Sequence, residues 1–310
     1  IHEMIKAYVG VTDRKWFDLL RGQPNLDEVN FWQPSGGRNF QAIRAGELFL
    51  FKLHRPDDFI VGGGIFAHFS LLPISLAWEA FQIGNGASDL FEMRTRVEKY
   101  RRVQPSAHED YTIGCILLEQ PFFLPREQWI PIPHDWSPNI VQGKTYDLTT
   151  EPGKTLWNQL QIRRSVTASS SVVREPAAAF GEPVLVQPRL GQGAFRILVT
   201  DGYERRCAFT GERTLPALDA AHIRPFSVIK EHRLDNGLLL RKDLHALFDR
   251  GYVTVTPQLR IEVSKRIKEE FDNGREYYRL HGQEMRAPAA RGMHPSSESL
   301  VWHNEKIFKS

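Results

Sequence analysis

Residues Cys207 to Val255 read CAFTGERTLPALDAAHIRPFSVIKEHRLDNGLLLRKDLHALFDRGYVTV, and this stretch decides the fold of the C-terminal half. Ala217 to Ile223 is short and apolar and runs into Arg224-Pro225. Proline has no N–H to donate to a ladder, so a strand should stop there. Asp235-Asn236-Gly237 is a turn signal, followed by the apolar run Leu238 to Leu240. From Arg241 to Arg250 the pattern becomes helical, with Leu244, Leu247 and Phe248 on one side. Gly251 suits the position just past the helix end. Tyr252 to Val255 alternates like a strand. The reading is strand, turn, strand, helix, then a further strand.

The polar residues of this stretch carry chemistry. His245 and Asp249 are four apart on the expected helix, so they share a face. An imidazole and a carboxylate so placed make half of a divalent metal site. His222, at the end of the first strand, can act as a general base on water. A metal ion beside it would stabilise charge on a phosphate. The amide of Asn236 can hold the loop, and with it the imidazole. His232, in the same loop, reads as a surface or phosphate-facing residue. Taken singly, each of these residues has an ordinary structural reading; it is the joint spacing that points to phosphodiester hydrolysis.

The stretch resembles the HNH nucleases, with AAHI, NGL and LHALFDRG in the family's order. The resemblance implies a ββα-metal fold. It further implies that His222 activates water, Asn236 positions it, and His245 and Asp249 bind one divalent ion. Magnesium or manganese would serve, and a His-containing site also suits cobalt or nickel. Two departures from the family pattern stand out. Many members carry a ligand immediately before the base His, where this chain has Ala221. Asp219 shares a strand face with Ala221 and is the candidate substitute. Many members also hold a structural zinc on two Cys pairs. Here only Cys115 and Cys207 exist, so no four-cysteine zinc site can form.

The rest of the chain sets the frame. Its 310 residues are enough for two domains, and a 41% hydrophobic fraction can fill their cores. A net charge of +3 excludes a basic-tail protein. Basic clusters at 94–102, Arg163-Arg164, Arg205-Arg206 and 265–268 could lie along phosphates, although each alone reads as solvated surface. Two isolated cysteines fit a reducing compartment. No apolar run is long enough to span a membrane, and no signal peptide is visible, so the expected location is the cytoplasm. Ser165 to Pro188 contains SVTASSSVVREPAAAFGEP, which reads as a linker. The expected domains are therefore 1–164 and 189–310, joined by 165–188. In the second, Leu190–Tyr203, Glu269–Leu280 and Leu300–Ser310 are helix or packing candidates.

In the first domain, strands are expected at Ala7–Val11, Leu48–Leu53, Ile60–Phe69 and Ile113–Leu118. Helices are expected at Asp13–Arg21, Ser75–Phe81 and Ser88–Arg102. Asn30 to Phe40, NFWQPSGGRNF, reads as a loop broken by Gly and Pro. A curved mixed sheet with rim helices fits. The runs Gly37-Arg38-Asn39-Phe40-Gln41-Ala42 and Ala45-Gly46-Glu47-Leu48-Phe49-Leu50-Phe51, with the Gly-rich strand after them, are similar to the EVE domain. This resemblance covers most of residues 8–118 and implies a PUA-like barrel. The fold class expected for the whole chain is α+β.

A barrel of that kind beside a nuclease suggests a reader of modified bases. Flipping a base into a pocket exposes its edges and faces. Trp32 and Trp78 are the stacking candidates and Asn39 the edge reader, with Ser35, Phe31 and Phe66 also of suitable type. Phe31, Phe66 and Trp78 have a core reading as well. The two resemblances together imply a type IV-like, modification-dependent restriction endonuclease. It would act on double-stranded DNA carrying 5-methylcytosine or 5-hydroxymethylcytosine. One such site cuts one strand, so a double-strand break needs a homodimer or two events. Three other readings stay open: recognition of another mark such as a phosphorothioate, a nuclease indifferent to modification, and a non-catalytic binder of modified DNA.

Overall fold

The computed structural model describes residues 4–37, 39–102, 104–168, 182–187 and 189–310. The chain divides into two compact units, Ile1–Arg189 and Leu190–Ser310. Most of the stretch read as a linker lies outside the described residues, as does Arg38 of the EVE-like run.

The first unit is a mixed sheet with helices. Its elements are β1 (Lys6–Thr12), α1 (Arg14–Arg21), β2 (Glu28–Gln33), β3 (Leu48–Leu53), β4 (Phe59–Pro73), α2 (Ile74–Phe81), α3 (Leu90–Lys99), β5 (Thr112–Phe123), β6 (Ile130–Pro131), β7 (Gly143–Asp147) and α4 (Gly153–Ala168). The strand order is β2-β5-β4-β3-β1-β7, with β6 added to β4. β1 and β3 run parallel, and the remaining pairs are antiparallel. The expected barrel is corrected here: among the described residues the ladder is an open path, with β2 and β7 at its edges. The register of β4 against β5 shifts twice, at Gly63/Ile65 and Phe66/His68, which marks β-bulges on that strand. Gly62 permits the tight crossing, since a Cβ there would lie 2.2 Å from the Phe122 carbonyl oxygen.

The core of this unit follows from its aromatic residues. Asp13 accepts from the Trp16 N–H at 2.8 Å and starts α1, which buries Trp16, Phe17 and Leu20 on the sheet. The Phe31 ring lies 4.6 Å from Phe49, and Trp16 meets Phe51 edge-on at 5.0 Å. Two sequence expectations change. The segment 30–33 is strand, not loop, because β2 pairs residue for residue with β5. α4 runs into the stretch read as linker, and Val186 N–H donates to the Gly46 carbonyl at 3.0 Å, so residues 182–187 belong to the first unit.

The second unit contains α5 (Gln192–Gly202), β8 (Leu218–His222), α6 (Phe226–Ile229), β9 (Gly237–Arg241), α7 (Lys242–Asp249), β10 (Val253–Val255), β11 (Ile261–Val263), α8 (Arg266–Phe271), α9 (Arg275–Tyr278) and α10 (Ser297–Lys306). β8 and β9 form an antiparallel hairpin that pairs His222 with Gly237. α7 follows β9 directly, with Leu244 and Phe248 buried. This is the expected ββα unit. Gly251 ends it with φ of +75°, and a Cβ there would meet the Ile307 carbonyl oxygen at 2.0 Å. No other residue type fits without moving the C-terminal chain. The single helix expected over 269–280 is two short ones, because Asp272 and Gly274 both adopt positive φ.

Candidate active site

β8 delivers His222 at its last position. Its ring lies flat on Phe195 of α5, with centroids 4.0 Å apart and planes 9° apart. The exit from β8 is held by Asn236. Asn236 Oδ1 accepts from the Arg224 N–H and its Nδ2 donates to the Arg224 carbonyl, both at 2.9 Å. The Asn236 carbonyl also accepts from the Ile223 N–H at 2.9 Å. Asn236 is almost fully buried, and its amide thus clamps the backbone two residues beyond His222.

His245 sits on α7 between two carboxylates. Its Nδ1 lies 3.1 Å from Asp219 Oδ2, and its Nε2 lies 3.3 Å from Asp249 Oδ2. Asp219 also faces Arg196 of α5 at 3.6 Å. The two carboxylates therefore take opposite nitrogens of one ring. Among the described residues, no three His, Cys, Asp or Glu side chains are gathered as a metal-binding group. The Asp249 side chain is 57% exposed and that of His245 is 21% exposed, so Asp249 stands at the open side of the site.

The electrostatics follow from these contacts. Burial pushes the His222 pKa down to about 4, helped by the positive charges that His232 and His245 would carry. His222 is therefore neutral at ordinary pH, as a base must be. Burial also works to lower His245, but the Asp219 hydrogen bond and the charges of Asp249 and Asp219 outweigh it and raise the pKa. For Asp219, burial acts upward, yet the His245 hydrogen bond and Arg196 leave the carboxyl below its ordinary value. Asp249 is raised by burial, aided by the nearby charge of Asp219 and opposed by His245 and Arg250. One half-desolvated carboxylate beside an imidazole nitrogen is a donor set that fits a divalent cation.

A cavity of about 260 Å³ joins these groups. It is lined by His222, Ile223, Pro225, Phe226, His245, Asp249, His303 and Ile307. Three of the residues singled out in the sequence therefore face one space, while Asn236 and Asp219 support it from behind. Two residues were missed. His232 was read as a surface residue, yet its Nδ1 lies 2.9 Å from His222 Nε2. His303 of α10 stacks on Phe248 at 3.8 Å and reaches the Phe248 carbonyl through Nε2 at 3.1 Å. No spacing rule could have found His303, because only tertiary packing brings α10 behind α7.

His303 gives a prediction. Burial pushes its pKa down to about 4 from 6.5, against the opposing bond to Phe248. As pH falls through that window the unfolded chain takes the proton first, so stability is lost between about 6.5 and 4. This one buried group should account for roughly 3 kcal/mol of the loss. In His303→Gln, the drop in urea midpoint from pH 7 to pH 4.5 should be smaller than in the wild type. An equal drop would assign the acid sensitivity to other groups.

The candidates for base reading in the first unit are not brought together. Phe31 and Phe66 are corrected to core residues: Phe31 packs on Phe49, and Phe66 meets Phe40 at 5.4 Å. Trp32 lies on β2 opposite Cys115 and, being partly buried, donates its indole N–H to the Asn85 carbonyl at 3.0 Å. Trp78 is partly buried on α2, while Ser35 and Asn39 are exposed beyond β2. A cavity of about 380 Å³ lies elsewhere in the unit, lined by Met4, Lys6, Gln41, Ala42, Ile43, Arg44 and Glu47. Its Gln41, Ala42 and Glu47 belong to the EVE-like runs. Glu47 is buried there and accepts from the backbone N–H groups of Lys6 and Arg44.

Residues 207–256 match the HNH endonuclease family model HNH_2. This segment is an HNH endonuclease domain, of a family whose members are generally divalent-metal-dependent. Several solved structures are similar, including these two. One is an ASCH protein from Zymomonas mobilis, at 11% identity and TM-score 0.34, covering 49% of this chain and 94% of that one. The other is the modification-dependent restriction endonuclease TagI, at 13% identity and TM-score 0.28, covering 96% of this chain and 81% of that one. No curated protein matches the chain. Among the described residues, no helix is long and apolar enough to cross a membrane.

Proposed function

We propose that the chain is a modification-dependent restriction endonuclease, in which residues 189–310 cut DNA and residues 1–164 read a modified cytosine. The nuclease assignment rests on one observation: His222, His245 and Asp249 line a single cavity of the HNH domain. In this reading His222 takes a proton from a water. The water oxygen forms a bond to phosphorus, the bond to the leaving ester oxygen breaks, and that oxygen takes up a proton. His245 Nε2 and Asp249 would hold the ion, with magnesium or manganese expected and cobalt or nickel chemically suitable. The ion would supply charge stabilisation on the phosphate. Asp219, on the other nitrogen, orients the His245 ring as a carboxylate partner. Asn236 acts through the backbone of Arg224, keeping the strand end and His222 in place.

The reading function is drawn from the EVE-like runs. The cavity that they help to line is of a size that suits one small ligand group. Gln41 offers an amide for a base edge, and Arg44 and Lys6 offer positive charge toward phosphate. A double-strand break would take two copies of the chain or two successive events.

Matched duplexes carrying cytosine, 5-methylcytosine or 5-hydroxymethylcytosine test the whole reading with magnesium or manganese present. Faster cutting of one modified duplex is the expected result, and Gln41→Ala should erode that preference. Equal cutting of all three would remove the role proposed for the first unit while leaving the nuclease.

A further inference from the structure

We propose that His232 is a positioning residue for His222. It accepts the His222 Nε2 proton and so leaves the lone pair on His222 Nδ1 free to take a proton from water. The proposal rests on the reading of His222 as the base.

The local chain explains how the pair forms. Pro225 stops β8, and α6 makes one turn that ends at Lys230, whose φ is +59°. The chain then doubles back and places His232 Nδ1 2.9 Å from His222 Nε2. Each ring is braced by its own aromatic partner. His222 lies on Phe195, and His232 stacks on Phe226 at 4.4 Å with planes 17° apart. Neither ring can tilt out of its plane without giving up its stack, so packing fixes both ring planes and the 2.9 Å hydrogen bond selects which nitrogens meet.

Two ring nitrogens at this distance share one proton, with one donating and the other accepting. If His232 Nδ1 carried it, His222 Nε2 would accept, and a neutral His222 would carry its own proton on Nδ1. Both His222 nitrogens would then be occupied, and it could not act as a base. If His222 Nε2 carries the proton, Nδ1 is free. Burial lowers the pKa of both rings, so neither is charged at rest and the choice is one of tautomer. The partner of the base thereby decides whether the base is available.

The test uses the full chain and single-turnover cleavage of one duplex at saturating metal, with DNA affinity and melting temperature measured alongside. His232→Leu should lower the rate about 10- to 100-fold, by analogy with the loss of a partner that orients a metal-bound histidine. DNA affinity and melting temperature should hold. His232→Asn should recover most of the rate, because Asn Oδ1 occupies the place of Nδ1 and accepts the same bond. A purely structural role gives no reason for that rescue. The proposal is overturned if His232→Leu cuts at the wild-type rate, or if His232→Asn is folded, binds DNA and is no faster than His232→Leu. His222→Ala run beside them separates the two readings. If it too cuts at the wild-type rate, the base assignment itself has failed.

Discussion

His222→Ala is expected to reduce the single-turnover rate of duplex cleavage by about 10²- to 10⁴-fold, the usual contribution of a positioned general base. Binding to DNA should survive, since His222 is a proton acceptor and only one of several groups around the cavity. The fold should survive too. Asn236 clamps Arg224 and Ile223 through backbone atoms that the substitution leaves in place. The loss of the stack on Phe195 will lower stability somewhat, so melting temperature should be measured with the rate. The pH profile adds a second check. Burial pushes the His222 pKa down to about 4, so a loss of activity around pH 6 is expected to come from another group. Near wild-type cutting by His222→Ala would refute the base assignment.

His245→Ala should be as damaging by a different route. It removes the imidazole between Asp219 and Asp249 and leaves two carboxylates without their shared partner. If metal charge stabilisation is worth about 4 kcal/mol, the rate should fall about 10³-fold. Calorimetric titration with manganese gives a readout besides activity: wild type should bind and His245→Ala should bind weakly or not at all. Unchanged binding would move the metal site elsewhere. The raised pKa of His245 also fixes the sign of the acid limb. A proton competes with the ion for Nε2, so cutting should fall as pH drops through that raised value. More metal should push the limb to lower pH. A limb that ignores metal concentration would detach His245 from the ion.

The nuclease half was far more legible in the sequence than the other. Local signals there agree with one another: Pro225 stops β8, Asp235-Asn236-Gly237 makes the turn, helical spacing sets α7, and Gly251 ends it. Each of these acts within a few residues, and so does the sharing of a helix face by His245 and Asp249. In the first unit the helix cap at Asp13 and the strand at Leu48–Leu53 were legible for the same reason. The role of the aromatics was not. Phe31 and Trp32 are neighbours in sequence and point to opposite faces of β2. Which face is core depends on β5, which is distant in the chain, as the Trp32–Cys115 pairing shows.

The sequence by itself determined the ββα order, the identity of the His, Asn and Asp groups, and the chemistry open to them. These rest on backbone sterics and on spacing along one element. The tertiary structure alone decided that the sheet of the first unit is an open path among the described residues and that Phe31 and Phe66 belong to its core. It also decided that His232 meets His222, that Asp219 and Asp249 take opposite nitrogens of His245, and that His303 backs α7. The physical reason is the same throughout. Burial and partner choice are properties of surfaces brought together from distant parts of the chain, and no local pattern encodes which surfaces meet.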